Sequence, residues 1–206
     1  MARLSLEFYM GDTVETARAL LGNYLVRRLP DGSVLAGRLT ETEAYVGRCD
    51  KACHAYNYRR TSRTEILFGP PGRAYIYLIY GMYHCMNVVT EPEGEPAAVL
   101  LRAMEPIAGI ETIRTLRFGD KPLAPYRRRN FMNGPGKICK GLSLTTAENG
   151  LDLTGDVLYL CDDPADFGAQ PRSTPRERIC SGPRIGIDYA QEAQEFPWRF
   201  WLEREE

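Results

Sequence analysis

Glu43 is the residue from which chemistry can start. It stands in the run Thr42-Glu43-Ala44-Tyr45. A held carboxylate can take a proton from a water molecule and can stabilise positive charge that develops nearby. Taken alone, such a glutamate reads as a surface residue at a strand end, and its company decides otherwise. Tyr45 follows two residues on, His54 nine residues after that, then Tyr77, Tyr80, Asn87 and Arg102. Aromatic faces suit a flat ring, while Asn87 taken alone is an ordinary strand residue. Arg102 closes the apolar run Ala97-Ala98-Val99-Leu100-Leu101. A charged residue in that place is either a salt-bridged rim residue or part of a site.

The element that must position most of this set is the stretch from Gly72 to Val89. Two runs rich in aromatic and branched residues flank Gly81, which is a β-hairpin signal. Alternation along the first arm puts Tyr75, Tyr77 and Ile79 on one face and Ile76, Leu78 and Tyr80 on the other. Tyr77 and Asn87 can share a face only if the loop has an odd number of residues or an arm carries a bulge. The expected loop is Tyr80-Gly81-Met82, with Tyr75 near Asn87.

Bulk properties narrow the class. A chain of 206 residues suits one domain spanning 1–206 and is ample for a hydrophobic core. Lys and Arg number 26 against 27 Asp and Glu, giving a formal charge of −1, so no global basic field is present and an anionic partner must be held by local patches. No uncharged apolar run approaches the ~20 residues that cross a bilayer, and the start lacks a signal-peptide core, so an intracellular protein without a membrane partner is expected. Six scattered cysteines fit reduced thiols better than a disulfide framework. Cys49, Cys53 and His54 have no second ligand pair at zinc-finger spacing, and no metal is expected.

Along the chain, Asp12-Thr13-Val14-Glu15 resembles a capping box opening a helix of about ten residues, ended by Gly22. Strand-like runs at Tyr24 to Leu29 and Val34 to Thr42 flank the turn Pro30-Asp31-Gly32-Ser33. Gly47 to Arg63 is a polar segment with Arg59, Arg60 and Arg63 among aromatics, either a solvated loop or a phosphate-facing one. Glu95 to Ala103 reads as a strand, and Pro106 suits the first turn of a helix in which Ile107, Ile110, Ile113 and Leu116 repeat. Arg127-Arg128-Arg129 precedes Gly134-Pro135-Gly136-Lys137, where helix-start amides and Lys137 could hold one phosphate. Leu151 to Asp162 is a further strand, Pro164 to Pro183 a loop, and Arg184 to Ile187 and Trp198 to Leu202 closing strands.

Several of these runs occur together and in one order: Thr42-Glu43-Ala44-Tyr45, the later His54, Tyr75 to Asn87, Val99-Leu-Leu-Arg-Ala-Met-Glu-Pro106, and Gly134-Pro-Gly-Lys-Ile-Cys139. In this the chain resembles the alkyladenine (3-methyladenine) DNA glycosylase family, from Phe8 to about Phe200. Arg48 and Cys49 depart from the residues relatives often carry there, as does Arg73.

The resemblance implies a single compact α+β domain with a curved, mainly antiparallel sheet, flanking helices and a protruding hairpin near Tyr80. It implies a monomer without metal or cofactor, acting with the DNA, whose partner is double-stranded DNA containing damaged purines. Carried over, Glu43 activates the attacking water and Arg102 positions it. Tyr45 stacks on one face of the extruded base, and His54 with Tyr77 on the other. Tyr80, beside Met82, wedges into the minor groove, Lys137 contacts DNA, and Asn87 gates against the exocyclic amine of guanine. Two other classes remain open from sequence: a non-catalytic stacking module, for which Glu43 has no use, and a backbone-cutting glycosylase using Lys51, Lys137 or Lys140 as amine nucleophile.

Overall fold

The structure is a computed structural model, described here for residues 3–170 and 176–205. Its spine is β2 (Val34–Val46), thirteen residues long, which pairs along almost its whole length with β5 (Ala97–Ala108). The other edge of β2 is shared. β1 (Tyr24–Arg28) covers Val34 to Arg38 and β8 (Arg199–Arg204) covers Glu41 to Glu43. β3 (Ala74–Ile79) and β4 (Tyr83–Val89) extend the sheet beyond β5, while β6 (Leu158–Cys161) pairs with β1 and β7 (Glu177–Gly182) with β8. All eight strands pair antiparallel. The α+β class and the antiparallel sheet expected from sequence are both present.

One face of the sheet carries the main core. Ala44 on β2, Val99 and Leu101 on β5, Met86 and Val88 on β4 and Ala74 and Ile76 on β3 all belong to it, packed against α2 (Thr13–Ala19), α3 (Ile110–Phe118) and α5 (Pro135–Gly141). Asp12 caps α2 as expected, accepting from the backbone of Val14 and Glu15, although the helix has seven residues. Short helices α1 (Leu6–Tyr9) and α4 (Pro125–Arg129) complete the helical set. No helix among the described residues is long and apolar enough to cross a membrane.

The hairpin forms with Ile79 opposite Tyr83, so its loop is Tyr80-Gly81-Met82, and Tyr75 faces Asn87. The odd loop required by a shared face for Tyr77 and Asn87 is the one adopted. Tyr80 (φ 52°) and Gly81 (φ 68°) are both left-handed. Holding a tyrosine there costs roughly 1–2 kcal/mol, and such strain tends to collect at functional sites.

Four expectations are corrected. Pro106 lies inside β5, not at a helix start, and α3 begins at Ile110 after the left-handed Gly109. Pro106 pairs with Gly37 and Ala108 with Ala36, leaving Ile107 as an extra residue, and a bulge tolerates the proline's missing N–H. The strand expected over Leu151 to Asp162 is confined to β6, with Asp152 forming an isolated bridge to Arg73. Within the expected loop Pro164 to Pro183, a 3-10 turn at Pro164–Phe167 and strand β7 are formed, while residues 171–175 lie outside the described residues. Arg184 to Ile187 is no strand, because β8 has its pairing filled by β2 and β7.

Gly37 is required by the bulge. A Cβ there would lie 2.1 Å from Met104 Cε and 2.7 Å from the Glu105 carbonyl oxygen. The methionine tip can move aside and the carbonyl cannot. Gly37→Ala is expected to lower stability by about 2–3 kcal/mol in urea titration. Gly81→Ala, whose Cβ meets nothing within 4 Å, should cost only about 1 kcal/mol of left-handed backbone. Equal costs at the two sites would contradict this reading.

Candidate active site

The second face of the sheet carries the candidate residues. Cross-strand register aligns them in a row: Tyr75 opposite Asn87, Asn87 opposite Leu100, Leu100 opposite Glu43, and Glu43 opposite Arg199. Tyr77 and Cys85 form the neighbouring pair toward the hairpin tip. Segments 47–72 and 183–196 fold over this face and close a cavity of about 220 Å³. Tyr45, His54, Tyr77, Tyr80, Asn87 and Arg102 all line it.

Glu43 sits behind this wall with 0% exposure, because β5 and β8 pair with β2 on both sides of it. Its Oε1 accepts from the Ile185 N–H at 2.8 Å, and its Oε2 accepts from the Tyr45 hydroxyl at 2.8 Å and from Arg102 Nη1 at 3.4 Å. Burial raises its pKa above the ordinary carboxylate range, against the opposing pull of Arg102, the Ile185 amide and the Tyr45 hydroxyl. A carboxylate so shifted is a stronger base than a solvated one.

Arg102 reaches this position through a bulge. Glu41 pairs with Ala103 and Thr42 with Leu101, so Arg102 has no partner in the ladder and its side chain turns toward the carboxylates. Thr40 is skipped in the same way on β2.

His54 and Tyr77 meet edge to face at 4.7 Å between centroids, and His54 Nδ1 bonds the Tyr75 hydroxyl at 2.9 Å. Burial, then the nearby Arg63, pushes the His54 pKa down to about 4, so the imidazole is neutral at neutral pH. Arg63 lies 4.7 Å over the Tyr77 ring, which brings the basic segment Arg59 to Arg63 beside the cavity, whereas Arg60 is paired with Glu65. Asn87 is buried and donates Nδ2 to the Tyr75 carbonyl at 3.1 Å, which fixes its carboxamide.

Met82 and Lys137 are outside the cavity. Tyr80 is 82% and Met82 66% exposed, so the tip projects an apolar end from the molecule. Lys137 Nζ donates to Asn130 Oδ1 at 3.0 Å and to Asn133 Oδ1 at 2.7 Å, and burial, then Arg117, lowers its pKa. The departures at 48 and 73 have partners of their own: Arg48 pairs with the buried Glu91 and Arg73 with Asp152.

Sequence reasoning missed the back of the site. Arg184, with a fully buried side chain, forms a two-pronged pair with Asp50 at 2.5 and 2.8 Å and donates to the carbonyls of Ala44 and Ala193. Its guanidinium lies 4.6 Å from the Tyr45 ring centroid and 5.2 Å from that of Trp198. Breaking such a buried pair costs about 3–5 kcal/mol. Ile185, which supplies the amide to Glu43, and the exposed Tyr189 line the cavity as well. Nothing local in Pro183-Arg184-Ile185 announces these roles, since Asp50 lies 134 residues away. No group of three or more His, Cys, Asp or Glu side chains is arranged to hold a metal among the described residues, and all six cysteines are unpaired.

A family model described as methylpurine-DNA glycosylase matches residues 7–206. A Bacillus cytotoxicus protein provisionally named 3-methyladenine DNA glycosylase is 50% identical over 196 residues, covering 95% of this chain and 94% of that one. Relatives with the same provisional name in Bacillus cereus strain Q1 and Bacillus thuringiensis strain Al Hakam are 48% identical over 196 residues, covering 95% of this chain and 93% of theirs. With the family match running from the first helix through the last strand, the chain belongs to the methylpurine-DNA glycosylase family and is a DNA glycosylase of base excision repair.

Proposed function

We propose that this glycosylase, acting as a monomer, rotates alkylated purines out of duplex DNA and hydrolyses their N-glycosidic bond with a water activated by Glu43, leaving an abasic site. Its substrates are 3-methyladenine, other alkylated purines and, more slowly, hypoxanthine and ethenoadenine. The observation that carries the reading is the fully buried Glu43 carboxylate, bonded to Tyr45, Arg102 and the Ile185 amide, all three of which border one aromatic cavity.

The physical steps follow. Extruding a nucleotide costs a few kcal/mol of unstacking, and Tyr80 with Met82 fills the gap left in the duplex. The base enters between Tyr45 on one side and His54 with Tyr77 on the other, and stacking of this kind is worth about 1–3 kcal/mol per base. A cationic methylated adenine is drawn further to the tyrosine faces, and the neutral His54 adds no repelling charge. Asn87, held by the Tyr75 carbonyl, rejects the exocyclic amine of guanine. As the bond breaks, Glu43 stabilises the positive sugar and takes the proton of the water that Arg102 orients.

A cationic base leaves without a proton, whereas a neutral one needs an acid. No carboxylic acid lines the cavity itself among the described residues, which favours cationic purines as the faster substrates. No lysine lines it either, which favours simple hydrolysis over an amine-dependent backbone cut. Lys51 is paired with Glu192. Lys137, Arg59 and the basic turn of α4 are the phosphate contacts in this reading.

In single-turnover release of 3-methyladenine from a defined duplex, Glu43→Gln is expected to lose about 10²–10⁴-fold in rate with DNA affinity retained. Unchanged release would remove Glu43 from the role of base. Because the folded-state pKa of Glu43 is raised, its contribution to stability is greatest at low pH and is lost as pH rises through that pKa. The variant should therefore melt at or above the wild-type temperature at neutral pH.

The rate of releasing the cationic base should climb with pH through a value above the ordinary carboxylate range and then level off, since His54 is already neutral there. A limb near the model-peptide value of about 4.3 would contradict the burial argument. Affinity for duplex DNA should fall at least tenfold between ~50 and ~200 mM salt, and a flat response would reject phosphate contacts by the basic segments.

A further inference from the structure

We propose that Glu41 is a positioning residue for base excision: it holds the Arg102 guanidinium side-on to Glu43, so that the base carboxylate keeps one lone pair for the attacking water. The inference rests on the reading of Glu43 as that base.

Three strands build the arrangement. Arg102, turned out of the β5 ladder by its bulge, gives Nε to Glu41 Oε1 at 3.1 Å and only Nη1 to Glu43 Oε2, at 3.4 Å. Glu41 Oε1 also accepts from Arg199 Nη1 at 3.2 Å. Arg199 is itself fixed, with Nε on the Pro183 carbonyl at 2.9 Å and its guanidinium 4.4 Å from the Trp201 ring centroid. Glu41 is thus clamped between one arginine from β5 and another from β8, with both arginine side chains and its own mostly covered.

The hydrogen-bond capacity of Glu43 shows what the clamp achieves. A carboxylate offers about four lone-pair positions. Tyr45 and Arg102 take the two on Oε2 and the Ile185 amide takes one on Oε1. One position on Oε1 is left. An arginine freed from Glu41 would turn to the two-pronged pairing that guanidinium and carboxylate favour. It would then fill that position and oppose uptake of a proton. Glu41 also places a negative charge two residues along the same face, which favours the protonated form of Glu43. The charged groups facing Glu43 are then Arg102 from β5, Glu41 from β2, Arg199 from β8 and Arg184 behind Tyr45, with the Tyr45 hydroxyl completing the set.

The test is single-turnover release of 3-methyladenine across pH for wild type, Glu41→Gln, Arg199→Met and Glu43→Gln, with duplex affinity measured in parallel. Glu41→Gln is expected to slow the plateau about tenfold or more and to move the acid limb to lower pH without weakening DNA binding, as a misplaced positioning group does. Arg199→Met loosens the same carboxylate from the far side and should move both in the same direction by less. A plateau and limb left at wild-type values in Glu41→Gln overturn the proposal. Should that variant not fold, unchanged values in Arg199→Met overturn it. Retained excision by Glu43→Gln would instead overturn the reading of Glu43 on which the proposal stands.

Discussion

Burial of one carboxylate governs the architecture around it. Glu43 lies where β2 is paired on both edges, and an ionised group there loses its water and must be repaid by directed hydrogen bonds. The fold supplies three, from Tyr45, Arg102 and the Ile185 amide. Each depends on another feature. Tyr45 is backed by the Arg184–Asp50 pair, Arg102 is aimed by a β-bulge, and Ile185 is placed by the segment after β7 that Arg184 anchors. The partial compensation leaves the group above its ordinary pKa, which is the condition a general base needs near neutrality.

The same sheet solves a second problem by register. The proposed reading of a damaged base calls for flat walls and an exclusion group on one surface, with a projecting wedge nearby. Antiparallel pairing with a three-residue loop sets Tyr75, Tyr77, Asn87 and Glu43 on one face and leaves Tyr80 at the tip. The core residues Ile76, Met86, Val88 and Leu101 occupy the opposite face of the same strands. The core and the cavity wall are therefore separated by strand alternation, and the strained tip sits where loss of contacts costs the core least.

What could be read in the residues before the structure follows the same physics. The hairpin, its odd loop and the shared face of Tyr77 and Asn87 were legible because alternation is a local rule. Glu43, Tyr45, His54 and Arg102 were legible as a group through their motifs; Tyr45, His54 and Arg102 line the cavity, and Glu43 lies behind it, bonded to Tyr45 and Arg102. Pro106 misled because proline suits both a helix start and a bulged strand, and pairing with Gly37 decided for the strand. Strand β7 was hidden in Pro- and Arg-rich composition and forms only because β8 offers an edge. Arg184 and Asp50 carry no local sign of each other, and the clamp of Glu41 by Arg102 and Arg199 needs strands that are distant in the chain.

The central claim is that Glu43 is a buried base held partly, not fully, neutralised. Its most direct test is titration of the Glu43 side-chain carboxyl by carbon-detected NMR on glutamate-labelled protein, with Glu43→Gln identifying the resonance. The account predicts a midpoint above the ordinary glutamate range that coincides with the acid limb of base release. A midpoint near the model value of about 4.3, or one unrelated to that limb, would contradict it.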